Sequence, residues 1–243
     1  MRGLFITATD TGVGKTLVST LLVRGLLSRG CPAIHFKPVQ SGFITVNGAE
    51  FPADLAFSHS IVAPDEAVAT YCRERSLYAF RDPIAPDHAA EKERVAIDPA
   101  AILTRAKELE KEHLLITEGA GGAAVPLTDR YLFADLIADL GQQALIVARP
   151  GLGTLNHTRL TVEFLRQRGV SIAGIVVSGY DAGDPSAERN LRMLVEMNGL
   201  PLLGVLPRVL GLDTERPGWM TGSSADALQE RFDWPAILAA CGA

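Results

Sequence analysis

The sequence predicts an α/β fold in which a parallel sheet carries helices on both faces. Short aliphatic segments alternate with amphipathic segments of helical length, which is the pattern of strands joined by helical crossovers. The aliphatic segments lack a polar face, as strands buried on both sides do. Aromatic residues make up only 6% of the chain, whereas glycine contributes 23 residues, a mix that suits aliphatic strands connected by tight loops.

The individual elements follow from this alternation. The aliphatic runs bounded by loops predict strands at Leu4–Thr7, Ala33–Val39, Leu114–Thr117, Ala144–Ala148, Ile172–Val177 and Leu202–Leu206. The amphipathic segments predict helices at Lys15–Ser28, Pro99–Glu112, Tyr131–Leu140, Thr154–Arg168, Ser186–Asn198 and within Ser224–Ala240. A strand that returns through a helix lies parallel to the strand before it, so this order specifies a parallel sheet.

Two segments interrupt the regular pattern. Ser41–Asp98 has few clean periods, and it is either a surface excursion or a lid over an active site, since long loops in compact domains are often functional. Leu210–Ser224 is rich in proline and glycine and predicts a loop before a final helix. Neither segment resembles a domain linker, so we expect residues 1–243 to form a single domain.

Composition and charge exclude several classes of protein. The 23 basic and 28 acidic residues give a net charge of −5, which argues against a nucleic-acid-binding face. A hydrophobic content of 47% argues against a disordered chain. The three scattered cysteines fit neither a disulfide framework nor a zinc site, so a reducing compartment, the cytoplasm, is expected. The N-terminal apolar run is too short for a signal peptide, and no segment is long enough to span a membrane.

A phosphate-binding loop is the strongest local motif. Residues 8–16 read Ala-Thr-Asp-Thr-Gly-Val-Gly-Lys-Thr and connect the first strand to the first helix, as in a P-loop NTPase-like sheet. Gly12 and Gly14 allow the backbone N–H groups to curl around a phosphate, and Lys15 can reach its terminal oxygens. The Thr16 hydroxyl can bind Mg²⁺. The strict motif has glycine at Ala8, where a methyl group is tolerable if Gly12 and Gly14 hold the loop.

Two charged residues follow neighbouring strands of the predicted sheet. Lys37 ends the second strand, and Glu118 ends the third, before the glycines of Glu118-Gly-Ala-Gly-Gly122. Ligands of such sheets bind at the carboxyl ends of the strands. A lysine there can hold a transferring phosphoryl group, and a carboxylate can complete Mg²⁺ coordination. Residues 119–124 also match a loose dinucleotide fingerprint, but Pro126 falls where that motif needs a helix.

Together these motifs resemble the dethiobiotin synthase family. The matching blocks are residues 8–16, Phe36-Lys-Pro-Val-Gln-Ser-Gly42, residues 118–122, Pro126-Leu127, Phe133-Ala-Asp135, Gly153-Thr-Leu-Asn-His157 and Leu203-Gly-Val-Leu-Pro207. They occur in family order over residues 4–207. The blocks around Lys37 and Glu118 are the specific ones, because the phosphate-binding loop alone is shared by many classes.

The resemblance implies an ATP-dependent ligase. The family carboxylates 7,8-diaminopelargonate with CO₂, phosphorylates the carbamate with ATP, and closes the ureido ring of dethiobiotin with release of phosphate.

The resemblance also implies roles for individual residues. It implies catalytic roles for Thr11, Lys15 and Lys37, and Mg²⁺ ligands at Thr16, Asp54 and Glu118. Asp54 lies in the irregular segment, so a flexible loop is expected to complete the metal site. The implied nucleotide-binding residues are Gly12, Val13, Gly14, Lys15, Thr16, Leu17, Glu118, Gly119, Ala120, Gly121, Ser178, Gly179, Leu206, Pro207 and Arg208.

The resemblance also implies substrate contacts and a homodimer. Thr11, Lys37 and Ser41 would contact the carbamate, whereas Gly153, Thr154 and Asn156 would clamp the substrate from a second subunit. The same residues can also be interpreted as the start of a helix, with Thr154 as its N-cap. Both interpretations are compatible.

The pocket for the nucleotide base departs from the family pattern. Family members commonly carry asparagine after the strand that ends near Val177, whereas this chain has Ser178. One hydroxyl replaces a paired donor and acceptor, so we expect modest discrimination of ATP from other triphosphates. Backbone groups of residues 206–208 are candidates for supplying the remaining selectivity.

Two other classes share the phosphate-binding loop. A P-loop switch or partition-type ATPase is the alternative function, but those proteins carry an additional lysine early in the loop, where this chain has Asp10. The block around Lys37 is also not expected in such a switch ATPase. An amidotransferase-type cobyrinate synthetase would need a glutaminase domain with catalytic Cys and His, for which one 243-residue domain leaves no room.

Overall fold

The computed structural model describes residues 1–211, 213–214 and 220–242. Its strands are β1 (Gly3–Ala8), β2 (Ala33–Phe36), β3 (Val39–Ser41), β4 (Phe43–Val46), β5 (Ala49–Pro52), β6 (Tyr78–Phe80), β7 (Leu114–Glu118), β8 (Pro126–Thr128), β9 (Tyr131–Leu132), β10 (Gln143–Ala148), β11 (Ile172–Tyr180) and β12 (Leu202–Pro207). Its helices are α1 (Lys15–Ser28), α2 (Ala53–Val62), α3 (Val68–Arg75), α4 (Pro86–Glu93), α5 (Pro99–Leu109), α6 (Phe133–Leu140), α7 (Thr154–Gln167), α8 (Ala187–Asn198), α9 (Gly222–Gln229) and α10 (Trp234–Cys241).

A six-stranded parallel sheet forms the centre of the fold. Its strand order is β12-β11-β10-β1-β7-β2, so β1 lies inside the sheet between β7 and β10. Every residue of β1 and β7 is buried, which explains their aliphatic sequences. The predicted α/β fold is therefore confirmed, and the loops after β1, β2 and β7 meet at one edge of the sheet.

Helices cover both faces of this sheet. The core on one face combines apolar residues of α1, α2, α9 and α10 with alternate strand residues such as Ile6 and Ile116. The core on the other face combines residues of α5, α6, α7 and α8 with Phe5 and Leu115. Adjacent residues of β1 and β7 thus point to opposite faces, as the pleat of a strand requires. Among the described residues, no helix has the length and apolar character needed to cross a bilayer.

The second predicted strand is shorter than expected. β2 ends at Phe36, and the chain leaves the sheet at Lys37-Pro38 instead of continuing to Val39. Pro38 has no N–H group to extend the ladder with β7. Its carbonyl oxygen instead accepts hydrogen bonds from the N–H groups of Leu77 and Tyr78, and β3 pairs in parallel with β6.

The segment predicted to be irregular is largely ordered. It contains a β4–β5 hairpin, three short helices and β6. These elements are short and partly exposed, and their stability comes from tertiary contacts such as the packing of α2 against α1 and α3. Local periodicity therefore does not reveal them.

Three helix predictions need correction. Tyr131 and Leu132 pair with β8 and do not start a helix; the N–H of Leu132 donates to the Asp135 carboxylate, and α6 begins at Phe133. The C-terminal piece is two helices, because Asp233 caps a new helix at the N–H of Ala236. Helix α5 ends at Leu109, three residues before the predicted end.

The predicted loop 210–224 includes residues 212 and 215–219, which lie outside the described residues.

Candidate active site

The phosphate-binding loop has the geometry its sequence predicts. Gly12 and Gly14 adopt φ angles of 71° and 102°, which favour glycine, and Gly14 is the N-cap residue of α1. A Cβ atom on Gly14 would lie 2.5 Å from the hydroxyl oxygen of Ser178, so a larger residue would have to displace that side chain as well as adopt an unfavourable backbone conformation. Ala8, the departure from the strict motif, is the buried last residue of β1 and lacks a positive φ. Its methyl group is therefore accommodated without strain.

Lys15 begins α1 and turns its ammonium back toward the loop. Its Nζ donates to the carbonyl oxygen of Asp10 at 3.4 Å, and the side chain is buried. Burial, together with the nearby charge of Lys37, lowers the pKa of Lys15 to about 8. A buried, incompletely neutralised cation of this kind is ready to receive an anion.

Four side chains converge beside Lys15. The Thr16 hydroxyl lies 2.8 Å from Asp54 Oδ1 and 3.0 Å from Glu118 Oε1. Lys37 Nζ lies 2.7 Å from Asp54 Oδ2 and 2.8 Å from Glu118 Oε1. The structure therefore brings Thr16, Lys37, Asp54 and Glu118 from four separate parts of the chain into one network.

The charges of this network stabilise each other. Burial alone would lower the pKa of Lys37, but the carboxylates of Asp54 and Glu118 raise it above its ordinary value. Burial alone would raise the pKa of Glu118, yet the charge of Lys37 and the hydrogen bond with His35 hold it well below its usual range. Both groups are charged at neutral pH for this reason.

Asp54 is held by a helix, contrary to the expectation of a flexible loop. It lies in the first turn of α2, where a carboxylate is favoured by the helix dipole. Gln40 directs its side-chain oxygen at the N–H groups of Ala53 and Asp54, at 2.8 and 2.6 Å, since the opposite orientation would place two donors against each other. A buried side chain of β3 therefore caps the helix that carries Asp54.

These residues line one cleft at the edge of the sheet. The cleft has a volume of about 620 Å³, and its wall includes Thr11 and Ser41. The segments 42–44 and 83–86 also line the cleft, so the irregular segment does border the site. The cleft also contains these predicted residues: Gly12, Gly14, Lys15, Thr16, Leu17, Lys37, Asp54, Glu118, Ala120 and Gly121. The side chain of Val13, in contrast, packs into the core.

The residues predicted for the nucleotide base lie on the other side of the loop. Ser178 and Gly179 belong to β11, which extends beyond its predicted end at Val177. Ser178 is in register with Leu206 of β12, and its side chain borders Gly14. The N–H of Arg208 donates to the carbonyl oxygen of Tyr180. The residues predicted at positions 178–179 and 206–208 are thus brought together next to the phosphate-binding loop.

The predicted substrate clamp lies outside this cleft. Gly153, with φ of 90°, is the N-cap residue of α7, so Thr154 is not the cap. The Thr154 hydroxyl is buried and has no hydrogen-bond partner among the described residues. Asn156 is exposed in the first turn, flanked by Leu152 and Leu160, which are 98% and 62% exposed.

Comparison with known proteins identifies the family. A family model described as an AAA domain matches residues 2–216. The ATP-dependent dethiobiotin synthetase BioD of Anaeromyxobacter dehalogenans (strain 2CP-C) is 43% identical over 212 residues, which cover 85% of this chain and 90% of the relative. The enzyme of the same name from Anoxybacillus flavithermus is 36% identical and covers 90% of this chain and 97% of the relative. The chain belongs to the dethiobiotin synthetase family. The resemblance seen in the sequence, and the assignment to the ATP-dependent ligases, are therefore confirmed.

Solved structures of low sequence identity share the fold of this dethiobiotin synthetase family member. The septum site-determining protein MinD of Pyrococcus horikoshii, complexed with Mg-ADP, matches with a TM-score of 0.59 at 18% identity, covering 97% of each chain. A ParA family ATPase from Chlorobium tepidum matches with a TM-score of 0.54 at 13% identity, covering 98% of this chain and 92% of that one. These matches confirm the P-loop fold, and at such identity they carry no argument for the partition-type alternative.

The sequence analysis does not predict two residues that hold this charged network. His35 is fully buried and lies 2.9 Å from Glu118 Oε2 through Nε2, and Gln40 caps α2. His35 precedes Lys37 by two positions, and residues two apart in a strand lie on the same face of the sheet. This spacing is the sequence feature that could have placed His35 near the site. The sequence offers no signal for Gln40, because its partners are distant in the chain.

Proposed function

We propose that this chain closes the ureido ring of dethiobiotin on 7,8-diaminopelargonate, using CO₂ and ATP and releasing ADP and phosphate. The observation that carries the proposal is the presence of two lysines in one cleft. Lys15 begins α1 after the phosphate-binding loop, and Lys37 follows the end of β2. One positive charge suits the nucleotide phosphates, and the second suits an anionic carbamate. We further propose that residues 1–243 act as one domain in this reaction.

The phosphate end of the site would bind ATP. The backbone N–H groups around Gly12 and Gly14 and the N-terminus of α1 favour bound phosphate. Lys15 adds a buried positive charge that nearby carboxylates neutralise only in part. Bound phosphates would therefore raise the pKa of Lys15 from about 8. The base would lie against residues 178–179 and 206–208, which border the loop through Ser178 and Gly14.

The substrate end would hold the carbamate. In the first step, a carbamate oxygen attacks the γ-phosphorus of ATP and ADP leaves. In the second step, the neighbouring neutral amine attacks the carbamoyl carbon, the bond from that carbon to the phosphate oxygen breaks, and the amine proton passes to the leaving phosphate or to water. Lys37, Thr11 and Ser41 would supply fixed positive charge and hydrogen-bond donors, and such preorganised groups are the main contribution a protein makes to this chemistry.

The residues present fit Mg²⁺. Among the described residues, no group of three or more His, Cys, Asp or Glu side chains forms a metal site by itself. The Asp54 and Glu118 carboxylates and the Thr16 hydroxyl nevertheless converge, and the two carboxylates already stabilise the cation of Lys37. Hard oxygen donors of this number suit Mg²⁺, which keeps waters and shares phosphate oxygens. When bound, the ion would neutralise charge on the transferring phosphoryl group.

We also propose a homodimer in which the partner completes the substrate site. Gly153, Thr154 and Asn156 lie outside the cleft of their own chain. Asn156 is exposed near the exposed side chains of Leu152 and Leu160, whereas Thr154 is buried. Exposed aliphatic side chains beside polar groups are common in protein interfaces. This placement supports a clamp that acts across the dimer interface.

The function is tested by phosphate release from MgATP with 7,8-diaminopelargonate and bicarbonate. We expect release to require both, and dethiobiotin to form in equal amount. Hydrolysis that ignores the diamine would contradict the ligase and favour the switch ATPase.

The dimer is tested by mixing two inactive variants, Lys37→Ala and Asn156→Ala. A mixed dimer would contain one site with both residues intact, so an equal mixture should recover roughly a quarter of wild-type activity. Lys111→Ala, which changes an exposed lysine, is the control in place of Lys37→Ala: alone it should keep wild-type activity. Mixed equally with Asn156→Ala it should give roughly half of that activity, because half of the sites still lack Asn156. If mixing restores nothing, the clamp does not act across subunits.

A further inference from the structure

Glu118 divides its two carboxylate oxygens between two sets of partners. Oε1 accepts hydrogen bonds from Thr16 and Lys37, at 3.0 and 2.8 Å. Oε2 instead lies 2.9 Å from Nε2 of His35. One oxygen therefore faces the cleft, and the other is held from the interior of the sheet.

The position of His35 in the sheet allows this contact. It lies in β2, in register with Ile116 of β7, and side chains two positions apart on a strand share a face, so it faces the same side as Glu118. Its side chain is fully buried. Nδ1 has no hydrogen-bond partner among the described residues, so the bond to Glu118 is the polar contact of the ring.

The hydrogen bond fixes the orientation of the carboxylate. An ionised carboxylate only accepts hydrogen bonds, so Nε2 of His35 carries the hydrogen and donates it to Oε2. Rotation of the Glu118 carboxylate would break this bond inside a buried site, where an unpaired polar atom is costly.

We propose that His35 is a positioning residue that holds Glu118 so that Oε1 faces the metal and phosphate end of the cleft. The inference rests on the proposed function, because it takes Glu118 as a metal ligand there. Residues that orient a metal ligand typically change metal affinity by ~10–100-fold when they are lost.

The test measures metal binding directly. Mn²⁺ replaces Mg²⁺, and free Mn²⁺ is measured by electron paramagnetic resonance in the presence of a non-hydrolysable ATP analogue. We expect His35→Leu to weaken Mn²⁺ binding by ~10–100-fold. Binding of the analogue in EDTA should stay as in the wild type. His35→Gln places an amide N–H near the position of Nε2 and should restore most of the affinity.

The outcomes separate this inference from the proposed function. If the wild-type protein binds no Mn²⁺ with the analogue, the metal site is wrong and the role of His35 falls with it. If the wild type binds Mn²⁺ and His35→Leu binds it equally well, His35 does not position Glu118. Equal losses of analogue binding with and without metal would show a general packing role instead.

A second comparison covers the case in which His35→Leu does not fold. His35→Asn is polar, but its amide is one methylene shorter than that of His35→Gln and does not reach Glu118. We expect the asparagine variant to lose Mn²⁺ affinity and the glutamine variant to keep it. Equal affinity in these two variants would overturn the proposal.

Discussion

Lys37 donates a hydrogen bond of 2.8 Å from Nζ to Glu118 Oε1, and both side chains are shielded from solvent. Asp54 lies 2.7 Å from the same ammonium, so one buried cation is shared by two carboxylates. Removing one partner of a buried ion pair leaves an uncompensated charge, which costs more than the intact pair contributes.

Lys37→Met is therefore expected to lower both stability and activity. The loss of the cation should reduce the free energy of unfolding by about 3–5 kcal/mol, because Glu118 remains as a buried anion beside the partly exposed carboxylate of Asp54. Turnover should fall by ~10²-fold or more, the scale for loss of one preorganised charge. Urea denaturation and steady-state phosphate release provide the two measurements.

The double variant Lys37→Met/Glu118→Gln is the matched control for this prediction. It removes both charges, so stability should recover substantially while activity stays low. A single variant as stable as the wild type would show that the network is more hydrated than its burial indicates.

Lys15→Met should stabilise the protein while removing nucleotide binding. The pKa of Lys15 is about 8 in the folded state, against 10.5 ordinarily, so the charged form is disfavoured by folding. Below pH 8 the full penalty is present, and stability rises with pH between about 8 and 10.5 as the folded protein loses this proton first. Removing the charge should raise the free energy of unfolding at pH 7 by about 1–3 kcal/mol. A destabilised Lys15→Met would contradict this account.

Nucleotide affinity should decrease as pH rises above 8. Phosphate binding favours the charged form of Lys15, so the free protein must take up a proton before it binds at higher pH. Titration of ADP between pH 7 and 9.5 should show a dissociation constant that rises by up to ~10-fold per pH unit above pH 8. Lys15→Arg keeps its charge throughout this range and should show a flat profile. Parallel profiles in both proteins would assign the dependence to another group.

Gln40→Leu should impair the metal site through α2. The substitution leaves the N–H of Asp54 without its acceptor, whereas the N–H of Ala53 keeps the carbonyl oxygen of Gly42 at 3.2 Å. Losing a helix cap typically costs ~1 kcal/mol. We expect a similar loss of stability and a higher Mg²⁺ concentration for half-maximal activity, because Asp54 is less firmly held. Gln40→Glu keeps an acceptor in the same place and should retain most of the stability. Leucine and glutamate variants of equal stability would argue against the cap.

Discrimination among nucleoside triphosphates should be modest. Ser178 offers one hydroxyl beside Gly14, where an amide would read a base through paired groups. We expect kcat/KM for ATP to exceed that for CTP, GTP or UTP by less than ~10²-fold, since large discrimination needs dedicated hydrogen bonds. A strong preference for ATP would show that backbone groups of residues 206–208 suffice.

Much of the site could be predicted from local sequence. The phosphate-binding loop is one contiguous motif, and its glycines are needed for the local backbone conformation. The roles of Gly14 and Lys15 can therefore be predicted without knowledge of the tertiary structure. Lys37 and Glu118 could be predicted at one sheet edge because both follow strands of a parallel sheet. Family membership rests on the same contiguous blocks.

Other features depend on tertiary contacts. Asp54 lies in α2, and the side chain that caps this helix, Gln40, belongs to β3. No local sequence pattern predicts that contact. The end of the strand at Phe36 is not predicted because apolar residues recur in the sequence up to Val39, whereas the ladder of hydrogen bonds needs the N–H that Pro38 lacks.

The sequence alone determined the fold class, the family and the residues of the phosphate-binding loop, because these depend on periodicity and on contiguous motifs. The tertiary structure decided how Glu118 is held, with Lys37 and Thr16 on one oxygen and His35 on the other. The physical reason is that burial and pairing are properties of neighbours in space. A histidine between apolar residues of a strand becomes a partner of Glu118 only when β2 and β7 lie side by side.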